Sequence, residues 1–129
     1  FTAACTPPED IFALDLDGLT GPGIAFYSAR RAGRLLGFGA LLEWEPGHGE
    51  LKSMHTTAEA RGQGVGRAMV EHLVGEARAR GYERVSLETG TQDEFAPARA
   101  LYAACGFVPC GPFSHYTDTR TSVLMTLAL

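Results

Sequence analysis

The stretch Glu59 to Glu71, EARGQGVGRAMVE, sets three glycines at alternate positions, Gly62, Gly64 and Gly66, directly ahead of an amphipathic run. A helix N-terminus leaves its first N–H groups without partners and carries about half a positive charge. An anion placed there satisfies both. Glycines keep side chains out of the way and allow positive φ where a loop turns its amides inward. The stretch is expected to cradle a phosphate or pyrophosphate, with Arg61 and Arg67 adding charge-assisted bonds. A tight turn with surface arginines would need fewer glycines.

Two common phosphate loops do not fit. The pattern G-x-x-x-x-G-K-[ST] fails because no Lys-Ser/Thr pair follows the glycines. A dinucleotide fingerprint fails because the third glycine comes one place early, although Glu88 lies at roughly the distance of a ribose contact.

The elements that must position this loop can be read along the chain. Thr6-Pro7-Pro8-Glu9 predicts a capped helix running to about Asp17 and stopping at Gly18. Gly21-Pro22-Gly23 is a turn. Ile24–Arg30, Leu35–Trp44 and Glu50–Thr57 read as three strands, joined by turns at 31–34 and 46–49, which implies an antiparallel meander. Val65, Met69, Leu73 and Ala77 recur every fourth residue, with Val70 and Val74 beside them, and predict a helix that stops at Gly81. Arg84–Thr89 is a strand, Pro97–Ala104 a short helix, and the segments from Phe107 and over Ser122–Leu127 close the chain as strands. The passage from Glu50 to Thr89 is a strand–helix–strand crossover between parallel neighbours. The expected fold class is α+β, with a mixed, mostly antiparallel sheet in one domain.

Bulk properties narrow the function. The 129 residues suit one domain, and 45% hydrophobic with 20% charged residues describes a globular chain. A net charge of −4 argues against general nucleic-acid binding. No run is long enough for a membrane-spanning helix. The odd cysteine count, Cys5, Cys105 and Cys110, is expected to mean reduced thiols in a cytoplasmic setting, with buried apolar packing more natural than metal or redox roles. The four histidines are scattered and form no metal cluster.

Arg61-Gly62-Gln63-Gly64-Val65-Gly66 resembles the R/Q-x-x-G-x-G/A motif of the GCN5-related N-acetyltransferases, the GNAT superfamily, and the ELKSM and LETG stretches look like a subgroup of small bacterial acetyltransferases. Ala100-Leu101-Tyr102-Ala103-Ala104-Cys105-Gly106-Phe107 resembles that family's L-Y-x-x-x-G-F segment, and the element order agrees over nearly the whole chain. The resemblance implies one acetyltransferase domain over 1–129, N-terminally short because the family's first strand and helix have no counterpart. It implies acetyl-CoA as co-substrate with no metal, its pyrophosphate held by amides from Gly62 to Arg67. The pantetheine arm would run near Met54, His55 and Thr56, where two parallel strands splay. Tyr102 matches the tyrosine that faces the CoA sulfur as general acid.

Acetyl transfer needs a free amine. A lysine-like amine at pH 7 is free base in only about one part in 2,500, a cost of ~4.6 kcal/mol, which a base relieves in part. Glu50 matches by spacing the glutamate some members use, and Lys52 two places on would hold it ionised unless a bulge separates them. His55 is an alternative base. Glu88 and Thr89, ending the parallel strand, are candidate substrate contacts, and the 111–120 loop with His115, Tyr116 and Asp118 could wall the acceptor pocket. Phe95 stands where many members carry asparagine. The expected partner is a small amine, with a homodimer possible; a non-catalytic acyl-CoA-binding module is the alternative reading.

Overall fold

The structure is a computed structural model that describes residues 15–114, 116 and 121–129. The cap expected at Thr6 lies outside them. The order is β1 (Asp15–Gly21), β2 (Ile24–Arg31), β3 (Arg34–Glu45), β4 (His48–Thr56), α1 (Val65–Ala79), β5 (Arg84–Gly90), α2 (Ala96–Ala104), β6 (Val108–Pro109) and β7 (Ser122–Ala128). Among the described residues the strands form one sheet in the order β1-β2-β3-β4-β5-β7-β6. Every neighbouring pair is antiparallel except β4 and β5. This is the mixed α+β sheet expected from the element order.

The helix predicted to reach Asp17 does not. Asp15–Gly21 is a strand, paired from Asp15↔Arg30 to Gly21↔Ile24. The Pro22-Gly23 corner explains it. Gly23 takes φ 74°, and a two-residue turn folds the preceding segment back along β2, where its backbone groups find ladder partners. The next turn follows the same logic, with Ala32 at φ 51° and Gly33 at φ 80°.

The period-four reading of α1 holds. Val65, Met69, Val70, Leu73, Val74 and Ala77 are each at most 2% exposed and join Leu41, Leu51, Val85 and Leu87 in one core. Each fully buried large side chain contributes roughly 1.5–3 kcal/mol. At the far end Arg80 ties the helix to the β1–β2 hairpin. Its Nε donates to Glu76 at 2.8 Å and its Nη1 to the Gly21 carbonyl at 2.8 Å.

The helix lies on β3 where the strand has no side chain. A Cβ on Gly39 would fall 2.6 Å from Met54 Sδ and 2.8 Å from Met69 Cγ. That close approach lets the middle of α1, at Met69 and Leu73, lie directly on β3. Gly39→Val is expected to lower stability by about 1–3 kcal/mol through overpacking, read as a lower urea midpoint with an unchanged slope.

The expectation of three reduced thiols fails at Cys105, which is fully buried and disulfide-bonded, whereas Cys110 is a half-buried free thiol. Spacing could not reveal this, because pairing depends on which chain segments the fold brings together. Among the described residues no helix is long and apolar enough to cross a membrane.

Candidate active site

The parallel ladder between β4 and β5 is short. It runs from His48↔Arg84 to Leu51↔Leu87 and ends there, while β4 continues to Thr56 and β5 to Gly90. The two strands part beyond Leu51, leaving backbone N–H and C=O groups facing the gap. A bulge accompanies the parting. Ser53 takes φ 55°, and the β3–β4 register slips between Phe38 and Ala40, so β4 carries one extra residue there. The bulge lies past Lys52, so it does not separate Lys52 from Glu50.

The result is a cleft of about 550 Å³. β4 lines it from Glu50 to Met54, β5 from Leu87 to Gly90, and α2 with Ala98 and Tyr102; Gln92, Phe95, Tyr116, Thr121 and Ser122 complete the wall. Arg99 braces the β5–α2 connection by donating from Nη1 to the carbonyls of Gly90 at 2.6 Å and Gln92 at 3.0 Å.

The glycine loop sits between β4 and α1. Gly62 and Gly64 take φ 78° and 84°, as an inward-turning loop requires. Gly66 differs from the expectation of positive φ: it lies inside α1, and its task is spatial. A Cβ there would fall 3.1 Å from Leu101 Cδ2 on α2. Gly64 is the N-cap, with no side-chain cap and no acidic residue in the first turn of α1. The first helical bond runs from Ala68 N–H to Gly64 O at 3.0 Å, so the amides of Val65, Gly66 and Arg67 have no helix carbonyl within reach. This is the donor set a diphosphate fits.

The flanking side chains divide. Gln63 folds back, donating to the Glu59 carbonyl at 3.0 Å and accepting from Arg31 at 3.5 Å. Arg34 occupies Glu59. Arg61 and Arg67 are exposed and make no ion pair among the described residues.

Tyr102 comes from the last turn of α2 and is 7% exposed. Its ring packs against Phe107 at 5.9 Å. Burial pushes its phenol up to about 12, so it keeps its proton throughout the physiological range.

Glu50 is 1% exposed and lines the same cleft. Tyr116 Oη donates to its Oε2 at 2.5 Å, and among the described residues no ion pair joins it to Lys52. Burial first, then the bond to Glu50 and the charges of Glu50 and Glu88, hold the Tyr116 phenol well above the ordinary tyrosine range.

Of the other expected positions, Met54, Glu88 and Thr89 line the cleft. Glu88 accepts from Ser122 Oγ at 2.6 Å. Thr56 lies beside Gly66. His55 is exposed, with its ring on Phe38 at 5.2 Å, and is not part of the cleft wall. Ser53 and Ser122 were missed from the sequence. A period-two strand pattern carries no mark of a bulge, and Ser122 reaches the site through β5–β7 pairing. Phe95, which stands in place of an asparagine, lines the wall, and Gly90 makes room for it: a Cβ there would fall 2.4 Å from Phe95 Cδ2. Among the described residues no group of three His, Cys, Asp or Glu side chains could hold a metal ion.

A splayed parallel pair, a glycine-capped helix after the first strand and a buried tyrosine on the next helix together define an acyl-CoA-dependent transferase fold. Residues 3–107 match the Acetyltransferase (GNAT) family, and the chain belongs to that family. It is 48% identical over 124 residues to the uncharacterized N-acetyltransferase YsnE of Bacillus subtilis, covering 96% of this chain and 82% of the relative. It is 41% identical over 120 residues to the IAA acetyltransferase of Azospirillum brasilense, covering 92% and 77%. Among solved structures, the putative acyl-CoA N-acyltransferase of Klebsiella pneumoniae aligns with a TM-score of 0.78 at 30% identity, covering 86% of this chain and 76% of that one. The protein is an acetyl-CoA-dependent N-acetyltransferase.

Proposed function

We propose that the enzyme moves the acetyl group directly from acetyl-CoA to the primary amine of a small molecule in the β4–β5 cleft. The observation that carries this reading is that Glu50 and Tyr102, from different elements, line one cleft. The amides from Gly62 to Arg67 hold the pyrophosphate. The open edges of β4 and β5, with Ser53 and Met54, border the thiol arm.

The amine nitrogen attacks the thioester carbonyl carbon, forming the C–N bond as the C–S bond breaks. Glu50 accepts the proton whose loss makes the ammonium a nucleophilic amine, and the second proton, shed by the nitrogen once the C–N bond has formed, ends on the departing CoA thiolate. Backbone N–H groups of the bulged strand stabilise the carbonyl oxygen as it gains charge. Tyr102 donates a hydrogen bond to the departing sulfur. Glu88 and Thr89 contact the acceptor. Two carboxylates, Glu50 and Glu88, against the single ammonium of Lys52 favour an acceptor that arrives as a cation.

The test is thiol release from acetyl-CoA with a panel of small primary amines and, beside it, peptides with free N-termini. Release is expected with small amines and near background with peptides. Release with peptides alone would move the acceptor to proteins. CoA binding without amine-dependent release would favour a non-catalytic acyl-CoA-binding module.

A further inference from the structure

We infer that Tyr116 is a positioning residue for the transfer, fixing the Glu50 carboxylate through its phenol hydroxyl. The inference rests on Glu50 accepting the amine proton, as proposed above. A carboxylate buried to 1% exposure needs donors, because an unsatisfied buried charge is costly. Among the described residues one hydrogen bond reaches Glu50, from Tyr116 to Oε2 at 2.5 Å. No described residue donates to Oε1, and Glu50 lines the cleft. A glutamate side chain has three torsions, so one short anchor on Oε2 narrows where Oε1 can be when the amine arrives.

The anchor is itself held by the sheet. Tyr116 N–H donates to the Phe113 carbonyl at 3.0 Å, and the two rings meet edge to face at 5.1 Å. Phe113 packs at 5.8 Å on His48 of β4 and at 5.9 Å on Trp44 of β3. A row of aromatic rings rooted in two strands therefore carries the hydroxyl to the carboxylate. His48 is fastened to β5 through Ser86 Oγ at 2.6 Å. No proton leaves Tyr116 in this role: it donates a hydrogen bond and keeps its proton, while Glu50 takes the proton of the amine.

A double-mutant cycle on the full chain tests it, with Tyr116→Phe, Glu50→Gln and the pair, assayed on an amine that the wild type acetylates. Phenylalanine keeps the ring packing on Phe113. Tyr116→Phe is expected to lower kcat about tenfold, with KM for acetyl-CoA within about twofold and no further loss in the Glu50→Gln background. A merely structural role would give the same fold loss in both backgrounds. That result, or an unchanged kcat, overturns the inference alone. A Glu50→Gln variant with full kcat overturns the base assignment and this inference with it, and a wild type that no small amine supports overturns both at their root.

Discussion

Tyr102→Phe is expected to lower kcat by about 10²–10³-fold, within the range for loss of one hydrogen-bond donor to developing negative charge, and to leave the dissociation constant of acetyl-CoA within about twofold. The substitution keeps the ring that packs against Phe107 and removes only the hydroxyl of a residue that lines the cleft. The phenol is raised to about 12 by burial, roughly 3.5 units above an ordinary thiol. Complete proton transfer to the leaving sulfur is therefore uphill by about 5 kcal/mol. In the proposed mechanism the hydroxyl thus works chiefly as a hydrogen-bond donor, as its ordinary phenol acidity already implied, and its bond strengthens as negative charge collects on sulfur. An interaction of that kind stabilises the transition state more than the bound ground state, so its loss falls on kcat. Stopped-flow or steady-state rates set beside calorimetric binding separate the two. Equal losses in turnover and affinity would remove Tyr102 from the chemistry and leave it as a wall of the cleft.

Gly64→Asp is expected to weaken acetyl-CoA binding by about 100-fold or more. Gly64 caps α1 with φ 84°, a conformation costing an ordinary L-residue roughly 1–2 kcal/mol. The aspartate also brings a negative charge to the place where the unpaired amides of 65–67 would meet a diphosphate. Gly64→Ala separates these effects, since alanine has the strain without the charge. Its affinity loss is expected to stay below about tenfold while its thermal midpoint drops. Raising salt should recover part of the aspartate loss by screening the repulsion, and little of the alanine loss. Unchanged affinity in Gly64→Asp would place the diphosphate elsewhere.

The two substitutions probe features of different legibility. The loop and the helix behind it could be read from local spacing: three alternating glycines, then apolar residues at 65, 69, 73 and 77. Tyr102 was legible through the segment around it, Leu101 to Phe107. Glu50 was legible as a strand position at the spacing of a family glutamate, but its burial was not, because that comes from residues far along the chain. The first strand was misread because capping and proline placement are local signals, whereas the pairing of Asp15–Gly21 with β2 is a contact between segments.

The sequence by itself determined the order of the elements after the first turn, the parallel crossover through α1 and the glycine-rich start of that helix, free of acidic side chains in its first turn. These follow from periodicity and backbone freedom over a few residues. Only the tertiary structure decided that β4 and β5 part after Leu51, that Ser53 forms the bulge, that Gly66 makes room for α2 rather than turning the loop, and that Tyr116 meets Glu50 across 66 positions of chain. Such juxtapositions are set by how sheet and helices pack, and many sequences with the same local pattern would pack those side chains differently.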